Sequence, residues 1–408
     1  MPDSTSPASH PSADPGSAAR PRVAFVHHWL TGMRGGEKVL EALCALEPHA
    51  DIFTLVCDRS RISAALSRHK IMTSFIERLP FGRRKFRSFL PLFPLAVEHF
   101  DLSAYDLVVS SDAAVVKGAI ARPDARHICY CHSPPRYAWD LYHLYRRQAA
   151  RNLVQRRLMA PVLHYLRLFD QLAAQRVDVF VANSRTVAAR IARYYRRSAL
   201  VIHPPVATDY FATVPREPQD FYLFAGQLTA YKQPRLAIEA CVKAGRRLVV
   251  VGDGPERRAL MRRGYPGVTF TGWVSDETLR DYYARCRAIL FPGEEDFGIV
   301  PVEAQAAGAP VIALARGGAL ESVIDEETGL FFARPAVNDL VAAIHRFERD
   351  PNRFEPELCR ENARRFDRSV FLKRMHDLFA ETLSTWPGSH PIRGADAAAS
   401  HSSLRVRT

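Results

Sequence analysis

The residues best suited to chemistry lie in the tract 292–303, where a loop follows an apolar strand and leads into a helix. This helix is predicted to begin near Ile299, with Pro301 in its first turn, where proline is tolerated. The first N–H groups of a helix lack partners within it, so they can bind an anion such as phosphate. Glu295 precedes these groups and Glu303 follows them, so that both carboxylates can accept hydrogen bonds from sugar or ribose hydroxyls.

Strand-like apolar runs alternate with helical patterns on both sides of a break at Pro204-Pro205. Runs that are apolar throughout are typical of a parallel sheet covered by helices on both faces. Strands are predicted over 23–26, 51–56, 105–110, 127–131, 178–182 and 199–202, and then over 221–226, 247–252, 268–272, 288–291, 310–313 and 328–332. Helices are predicted after the glycine-rich turn 31–36 and over 234–244, 255–263, 275–285, 300–307, 319–324, 337–349 and 369–383.

These patterns predict an α/β fold of two doubly wound Rossmann-like domains that face each other across a cleft, where ligands bind in such folds. The two tails are rich in Ser, Ala, Pro and Gly and are predicted to be disordered. The predicted boundaries are a tail at 1–20, an N-terminal domain at 21–205, a C-terminal domain at 206–368, a closing helix at 369–387 and a tail at 388–408.

Composition excludes several classes of protein. The 408 residues are 47% hydrophobic and 24% charged, which is typical of a globular protein with an ample core. No run approaches the roughly 18 apolar residues of a membrane span, and the first twenty residues lack the apolar block of a secretory signal. We therefore expect a cytoplasmic chain. Its seven cysteines are scattered, apart from Cys129 and Cys131, and are expected to be reduced thiols.

The formal net charge of +13 requires a negative partner, which can be nucleic acid, anionic lipid or a phosphorylated substrate. Charge alone does not choose among the three. The sequence lacks recognisable nucleic-acid-binding modules, which disfavours the first. A dehydrogenase is also disfavoured, because Gly252 and Gly254 follow a strand without the third glycine of the dinucleotide fingerprint.

The tract 294–313, with Glu295 and Glu303 separated by seven residues, resembles the E-x7-E motif of the retaining family-4 glycosyltransferases, which have the GT-B fold. The resemblance covers about residues 22–385. It implies that the closing helix packs back on the N-terminal domain, which would hold the acceptor, and that the C-terminal domain binds the nucleotide sugar. Further similar tracts are 249–256, 271–277 and 317–321, together with 29–38 and 127–140, which resemble mannosyltransferases of polysaccharide and O-antigen assembly.

Position by position, the resemblance implies a donor site in the C-terminal domain. Glu303 would bind the ribose hydroxyls of the sugar nucleotide, and Glu295 would contact the donor sugar as a catalytic residue. Phe297, Gly298 and Ile299 would present backbone N–H groups.

The resemblance implies five further contacts. Lys232 would neutralise the diphosphate and His132 would contact the donor sugar near the reacting carbon, both as catalytic residues. Gly35 and Gly36 would let the backbone approach the sugar and phosphate. Val274 would hold the base through its main chain, which leaves guanine and uracil undistinguished.

The chain departs from the family at two positions. Gln227 stands where many relatives carry an arginine, so that Arg316 is a candidate replacement cation, and His28 stands where several relatives have aspartate. Asp51, Asp106 and Asp178 lie in runs that look structural, and no D-x-D pair ends a strand. We therefore expect a metal-independent enzyme without a cofactor, since Lys232 and backbone donors can stabilise the leaving phosphate.

Two basic segments, near 78–93 and 146–176, mix arginines with leucines and aromatic residues. Such segments suit an anionic membrane surface, although solvated helix faces have the same pattern. A membrane surface would fit a lipid-linked acceptor at the inner face of the cell membrane.

The sequence thus predicts a retaining glycosyltransferase that moves a hexose, mannose from GDP-mannose, to a lipid-linked oligosaccharide in cell-surface polysaccharide synthesis. Retention would follow front-side attack, in which the leaving phosphate helps to deprotonate the acceptor. Two alternatives stay open. One is a UDP-sugar donor carrying glucose or N-acetylglucosamine, and the other is a sugar-nucleotide epimerase of the same fold.

Overall fold

The computed structural model describes residues 20–143 and 153–384, without the side chains of 153–156 and 158. The predicted disordered tails lie outside these residues, except for Arg20, as does the part of the second basic segment before residue 153. Within the described residues, no helix is both long and apolar enough to cross a membrane.

The N-terminal domain is built on a seven-stranded sheet in which every strand pair is parallel. Its spatial order is β3-β2-β1-β4-β5-β6-β7, so the direction of winding reverses between β1 and β4. At that point His27 pairs with Ser111, at the carboxyl ends of the two strands. The strands are β1 (Val23–His27), β2 (Asp51–Thr54), β3 (Ile71–Thr73), β4 (Leu107–Asp112), β5 (Arg126–Cys131), β6 (Val179–Ala182) and β7 (Leu200–Val201).

The C-terminal domain repeats this arrangement with six parallel strands in the order β10-β9-β8-β11-β12-β13. Its winding reverses between β8 and β11. Such reversal points open a crevice at the carboxyl edge of the sheet, where ligands bind. The strands are β8 (Tyr222–Ala225), β9 (Leu248–Val251), β10 (Val268–Gly272), β11 (Ile289–Phe291), β12 (Val311–Leu314) and β13 (Gly329–Phe332).

Helices cover both faces of each sheet, because the apolar strands present side chains on both sides. The α-helices of the described residues are α1 (Gly35–Leu46), α2 (Ala64–Ser67), α3 (Gly82–Lys85), α4 (Phe93–Glu98), α5 (Leu153–Ala173), α6 (Arg185–Tyr195), α7 (Thr208–Ala212), α8 (Pro234–Ala244), α9 (Arg257–Arg262), α10 (Asp276–Arg285), α11 (Ile299–Ala306), α12 (Ala319–Ser322), α13 (Val337–Arg349), α14 (Pro356–Arg364) and α15 (Arg368–Ser384).

The chain crosses between the domains twice, and the two crossings lie side by side. The N–H of Val206 donates to the carbonyl of Phe366 at 3.1 Å, and the N–H of Arg368 donates to the carbonyl of Val206 at 2.9 Å. Beyond the second crossing, Phe371 and Met375 of α15 pack into the core that also contains Leu40 of α1. The expected packing of the closing helix on the N-terminal domain is therefore confirmed.

The two predicted Rossmann-like domains are confirmed, with differences in detail. Strand β3 was not predicted, because three residues are too few to show a period. Strand β4 begins at Leu107 and not at residue 105, because the Asp106 carboxylate accepts the N–H of Arg22 at 2.7 Å in the turn before it. The seven cysteines are free and buried.

Candidate functional site

The carboxyl ends of both sheets face a cavity of about 860 Å³ between the domains. Side chains and backbone from both reversal points line it, as the fold requires. All ten residues that the sequence singled out lie around this one cavity: Gly35, Gly36, His132, Lys232, Val274, Glu295, Phe297, Gly298, Ile299 and Glu303. Their individual roles stay predictions.

The loop between β11 and α11 is held by close backbone packing. Gly298 precedes the helix with φ of +83°, a conformation that glycine adopts at little cost, and no side chain caps the helix N-terminus. The N–H of Gly318 donates to the carbonyl of Glu295 at 2.9 Å, and a Cβ on Gly318 would overlap the backbone of Phe297. The free N–H groups of α11 are thus directed into the cavity at a fixed position, as an anion site requires.

Lys232 and Glu295 form an ion pair across the C-terminal wall of the cleft. The Lys232 Nζ lies 2.9 Å from the Glu295 Oε1, and both side chains are largely buried. Burial lowers the pKa of Lys232, but the Glu295 carboxylate outweighs it and the pKa is raised above its usual value. The ammonium therefore stays charged at neutral pH and can bind a phosphate.

Glu303 is buried one turn inside α11, where the Tyr283 hydroxyl donates to its Oε2 at 2.9 Å. Burial raises the pKa of this carboxyl, while Lys38 from the other domain and the Tyr283 hydrogen bond oppose the rise. The Lys38 Nζ lies 4.0 Å from Glu303 Oε1 and 3.8 Å from Asp276 Oδ2. Lys38 is therefore a cleft cation that sequence reasoning missed, although it lies in one of the tracts that carry the resemblance.

A second helix N-terminus, that of α1, faces the cleft from the opposite side. Gly35 and Gly36 are its first two residues, and the Glu37 carboxylate accepts the Arg34 N–H at 3.1 Å in the preceding turn. A Cβ on Gly35 would lie 3.0 Å from the Ile299 side chain, so the two domains approach each other closely here. Both walls of the cleft thus offer helix N-termini to an anion.

Three histidines, the buried His27 and His28 and the half-buried His132, surround Ser111 beside the glycine turn. Its hydroxyl bonds His132 Nε2 at 2.8 Å and His27 Nδ1 at 3.1 Å, and its carbonyl lies 3.4 Å from His28 Nδ1. Burial lowers the pKa of His132 to about 3 and that of His28 to about 4. These imidazoles are therefore neutral at physiological pH. His28 also lines the cleft.

His27, His28 and Glu37 are the residues that could hold a metal ion among those described, since their ligand atoms lie within 4.8 Å of one another. Each of these side chains already makes a hydrogen bond. The Nδ1 atoms of both histidines bond to Ser111, and the Glu37 carboxylate accepts the N–H of Arg34. His27 Nε2 is buried without a hydrogen-bond partner in the described part of the chain.

Residues around Val274 also complete the cleft. Trp273 is 70% exposed and lines the cavity beside it. Gln227, where the resemblance implies an arginine, lines the cavity, and Arg316 is not among the residues that line it. Lys38 and Arg34 of the opposite domain bring further positive charge to the cavity.

Direct contacts hold the two walls together. The Ser184 hydroxyl donates to the Asp296 carbonyl at 2.6 Å, and Arg190 pairs with the Asp296 carboxylate. Glu321 accepts the N–H of Arg185 at 2.8 Å at the N-terminus of α6. The His203 Nε2 lies 3.1 Å from the same carboxylate. The sequence does not reveal these contacts, because the partners lie more than 100 positions apart in the chain.

Comparison with known families gives two adjoining matches. Residues 33–210 match the model "Glycosyltransferase Family 4", and residues 206–366 match "Glycosyl transferases group 1". The chain is 25% identical over 363 residues to O-antigen chain mannosyltransferase C of Escherichia coli, covering 82% of this chain and 89% of that protein. It is 27% identical over 391 residues to human alpha-1,3/1,6-mannosyltransferase ALG2, with the same coverage of each chain.

Solved structures of low sequence identity share the fold. Sucrose-phosphate synthase of Thermosynechococcus elongatus superimposes with a TM-score of 0.69 at 22% identity, covering 90% of this chain and 100% of that one. Anabaena HepE, solved with UDP and glucose, gives a TM-score of 0.68 at 16% identity, covering 89% and 100%.

The neutral histidine cluster predicts how stability depends on pH. In the unfolded chain a histidine takes up a proton near pH 6.5, whereas folded His28 does so only near pH 4. The unfolded state therefore binds more protons in this interval, and stability falls with decreasing pH by up to about 1.4 kcal/mol per pH unit for each such group. When the pH is lowered from 7.5 to 5, we expect the melting temperature of His28→Asn to fall less than that of the wild type, as measured by thermal unfolding.

The matched control is His376→Asn, because His376 is exposed on α15. It should follow the wild-type pH dependence. Identical curves for His28→Asn and the wild type would contradict the assignment of a neutral, buried imidazole.

Proposed function

Because the chain belongs to the glycosyltransferases, we propose that it transfers a hexose from a nucleoside-diphosphate sugar to a glycan acceptor. The observation that carries this proposal is the single cavity in which two helix N-termini and Lys232 face two carboxylates, the half-buried Glu295 and the buried Glu303. Cations and N–H groups suit a diphosphate, and the carboxylates suit hydroxyls. A sugar nucleotide carries both groups.

The donor we propose is GDP-mannose. Support comes from the two mannosyltransferases that the chain resembles over 82% of its length. The UDP and glucose in the HepE structure support the alternative, a UDP-sugar donor with glucose or N-acetylglucosamine. Val274 would hold either base through its main chain, and Trp273 beside it offers an exposed ring.

The proposed roles follow from the charge states. Lys232 would bind the diphosphate and stabilise the charge that develops on the leaving phosphate, together with the N–H groups of Phe297, Gly298 and Ile299. Glu303 would accept the ribose hydroxyls beside the Tyr283 hydroxyl. These groups supply the positive field that a metal would otherwise provide, so we propose a metal-independent reaction.

The N-terminal wall of the cleft would contact the donor sugar through His132 and the glycine turn. His132 is neutral, so it would contact the sugar as a hydrogen-bonding group and not as a cation. A Cβ on Gly36 would lie 3.7 Å from His132 Nε2, so the glycine leaves room there for the reacting carbon. We propose front-side attack with retention of configuration, in which the acceptor hydroxyl passes its proton to the leaving phosphate oxygen.

The acceptor we propose is a lipid-linked oligosaccharide at the inner face of the cell membrane, reached from the cytoplasm. Tyr165, Leu168 and Leu172 are 45%, 53% and 65% exposed on α5. Their spacing places them on one helix face, and exposed Arg157 lies about two turns before Tyr165 on the same helix. An apolar face on a helix that also carries an exposed cation supports binding to an anionic bilayer surface.

Thermal unfolding with nucleotides tests the donor site. With EDTA present, we expect GDP and GDP-mannose to raise the melting temperature, since a ligand at 100 times its Kd stabilises the folded state by about 2.7 kcal/mol. Glu303→Ala should abolish the shift, while Glu277→Ala, an exposed carboxylate outside the cavity, should keep it. A larger shift with UDP than with GDP would replace GDP-mannose by a UDP-sugar as the donor and leave the rest of the proposal unchanged. No shift with any nucleoside diphosphate would contradict the donor site, and a shift that requires Mg²⁺ would contradict metal independence.

Product analysis tests the reaction. Proton NMR of the new glycosidic linkage should show the anomeric configuration of the donor. An inverted anomer would contradict front-side attack. Conversion of the donor to an epimer without any acceptor would favour the epimerase alternative.

Sedimentation with vesicles tests the membrane surface. We expect the protein to sediment with phosphatidylglycerol vesicles at low salt and less so at high salt, because added ions screen the attraction. Leu168→Ser with Leu172→Ser should weaken sedimentation. The control pair, Met261→Ser with Leu358→Ser, changes similarly exposed side chains of the C-terminal domain and should have no effect. If both double variants lose sedimentation equally, the proposal that the exposed face of α5 binds the membrane is contradicted.

A further inference from the structure

A second cavity, of about 900 Å³, lies in the N-terminal domain, and the proposed donor contacts make no use of it. Arg34 lines both this cavity and the donor cleft, so the two adjoin at the turn before α1. The Cζ atom of Arg87, which lines this cavity, lies 5.7 Å from the centre of the Trp29 ring, and Trp29 lines the donor cleft. A ligand could therefore extend from the cavity to the reacting carbon.

The walls of this cavity are strongly basic. Five arginines and one lysine line it, against two carboxylates, those of Asp58 and Glu77. Glu77 pairs with Arg83 at 2.8 Å, and Asp58 accepts hydrogen bonds from Ser60. Within the described residues, Arg61, Arg84 and Lys85 have no carboxylate within 4.0 Å. The cavity thus offers several exposed cations to one anion.

The rim of the cavity carries an apolar group. Phe81 is 71% exposed, with φ of +59°, a left-handed conformation that is unfavourable for an aromatic residue. The next residue is Gly82, where a Cβ would overlap the carbonyl oxygen of Ile76. The Lys85 Nζ lies 5.3 Å from the centre of the Phe81 ring. The fold therefore keeps an aromatic ring in solvent beside the cations despite the backbone strain, and such strain is concentrated at functional sites.

We propose that this cavity binds the phosphate-bearing end of the acceptor, with a phosphate or diphosphate against Arg84 and Lys85 and an attached apolar chain against Phe81. The inference rests on the proposed function, because it assigns the acceptor of the same reaction. The glycan would extend past Arg34 to the glycine turn and His132. Multiple cations suit a diphosphate, and the exposed ring suits the chain that follows it.

The shared chemistry of the ligand is a phosphate or diphosphate anion, which can come from a lipid carrier or from free diphosphate. Calorimetric titration of the full chain with farnesyl diphosphate, inorganic diphosphate and farnesol separates these sources. We expect farnesyl diphosphate to bind at least about tenfold more tightly than either fragment, since it alone reaches both the cations and Phe81. Phe81→Ser should reduce its affinity to that of inorganic diphosphate.

Charge removal tests the position of the anion. Arg84→Ala with Lys85→Ala should weaken farnesyl diphosphate binding by about tenfold or more, and added salt should reduce the difference. The matched control is Arg258→Ala with Arg262→Ala, which removes two exposed cations of α9 outside both cavities. All four side chains are exposed, so neither variant should disturb folding.

The outcomes separate this inference from the donor site. If Arg84→Ala with Lys85→Ala binds farnesyl diphosphate as tightly as the wild type, the inference is overturned. It is also overturned if only Lys232→Ala loses this binding, because the ligand would then lie in the donor cleft. Equal affinity for inorganic and farnesyl diphosphate would overturn the lipid assignment. If nucleotides bind with the expected dependence on Glu303, these results leave the donor site intact. If no nucleotide binds while the Arg84 and Lys85 dependence holds, the donor site fails and the anion cavity stands.

Discussion

The shape of the cleft depends on the position of the loop between β11 and α11. Residues Glu294–Gly298 of this loop lie between the two domains and contact both of them. Gly318 fixes the backbone from within the C-terminal domain, and Lys232 holds the Glu295 carboxylate. From the other domain, Ser184 and Arg190 bind Asp296. A shift of either domain therefore moves the free N–H groups of α11 relative to His132. The width of the cleft and the position of the α11 N–H groups therefore change together.

The opposite wall has its own fixed support, a buried group of charges under the end of β4. Lys117 pairs with Asp112 at 2.9 Å and also with Asp170, and all three side chains are buried. Buried charges are costly unless all their hydrogen bonds are made. Here Asp112 accepts two further backbone N–H groups, and Asp170 accepts from Trp139 and Tyr195. Because the Asp112 carbonyl accepts the N–H of His132 at 2.8 Å, this support fixes the histidine backbone beside the donor cleft.

The sequence revealed the residues within each domain more completely than the contacts between domains. Glu295, Glu303 and the glycine turn follow apolar strands, so periodicity alone places them at the carboxyl edge of a sheet. Lys38 and Glu321 carry no such signal, since their function depends on partners in the other domain. Helix α14 was also missed, because its residues are mostly polar and it buries only a narrow face against the rest of the chain. Contacts between the two domains depend on how the domains pack together, and the local sequence pattern does not reveal them.

The arrangement of charge in the cleft suggests how a donor would be accepted. Lys232 lies 2.9 Å from Glu295 and Lys38 lies 4.0 Å from Glu303, so these two lysines and two carboxylates balance each other before a ligand arrives. In the proposed site, an incoming diphosphate would compete with Glu295 for Lys232, and the carboxylate released from that pair would accept sugar hydroxyls instead. Binding the phosphate would thus prepare the group that orients the sugar. Glu303 needs no such exchange, because Tyr283 holds its carboxylate independently of the lysine. In the proposed site the two carboxylates would therefore differ: Glu303 is positioned in advance, and Glu295 would become available when the diphosphate binds.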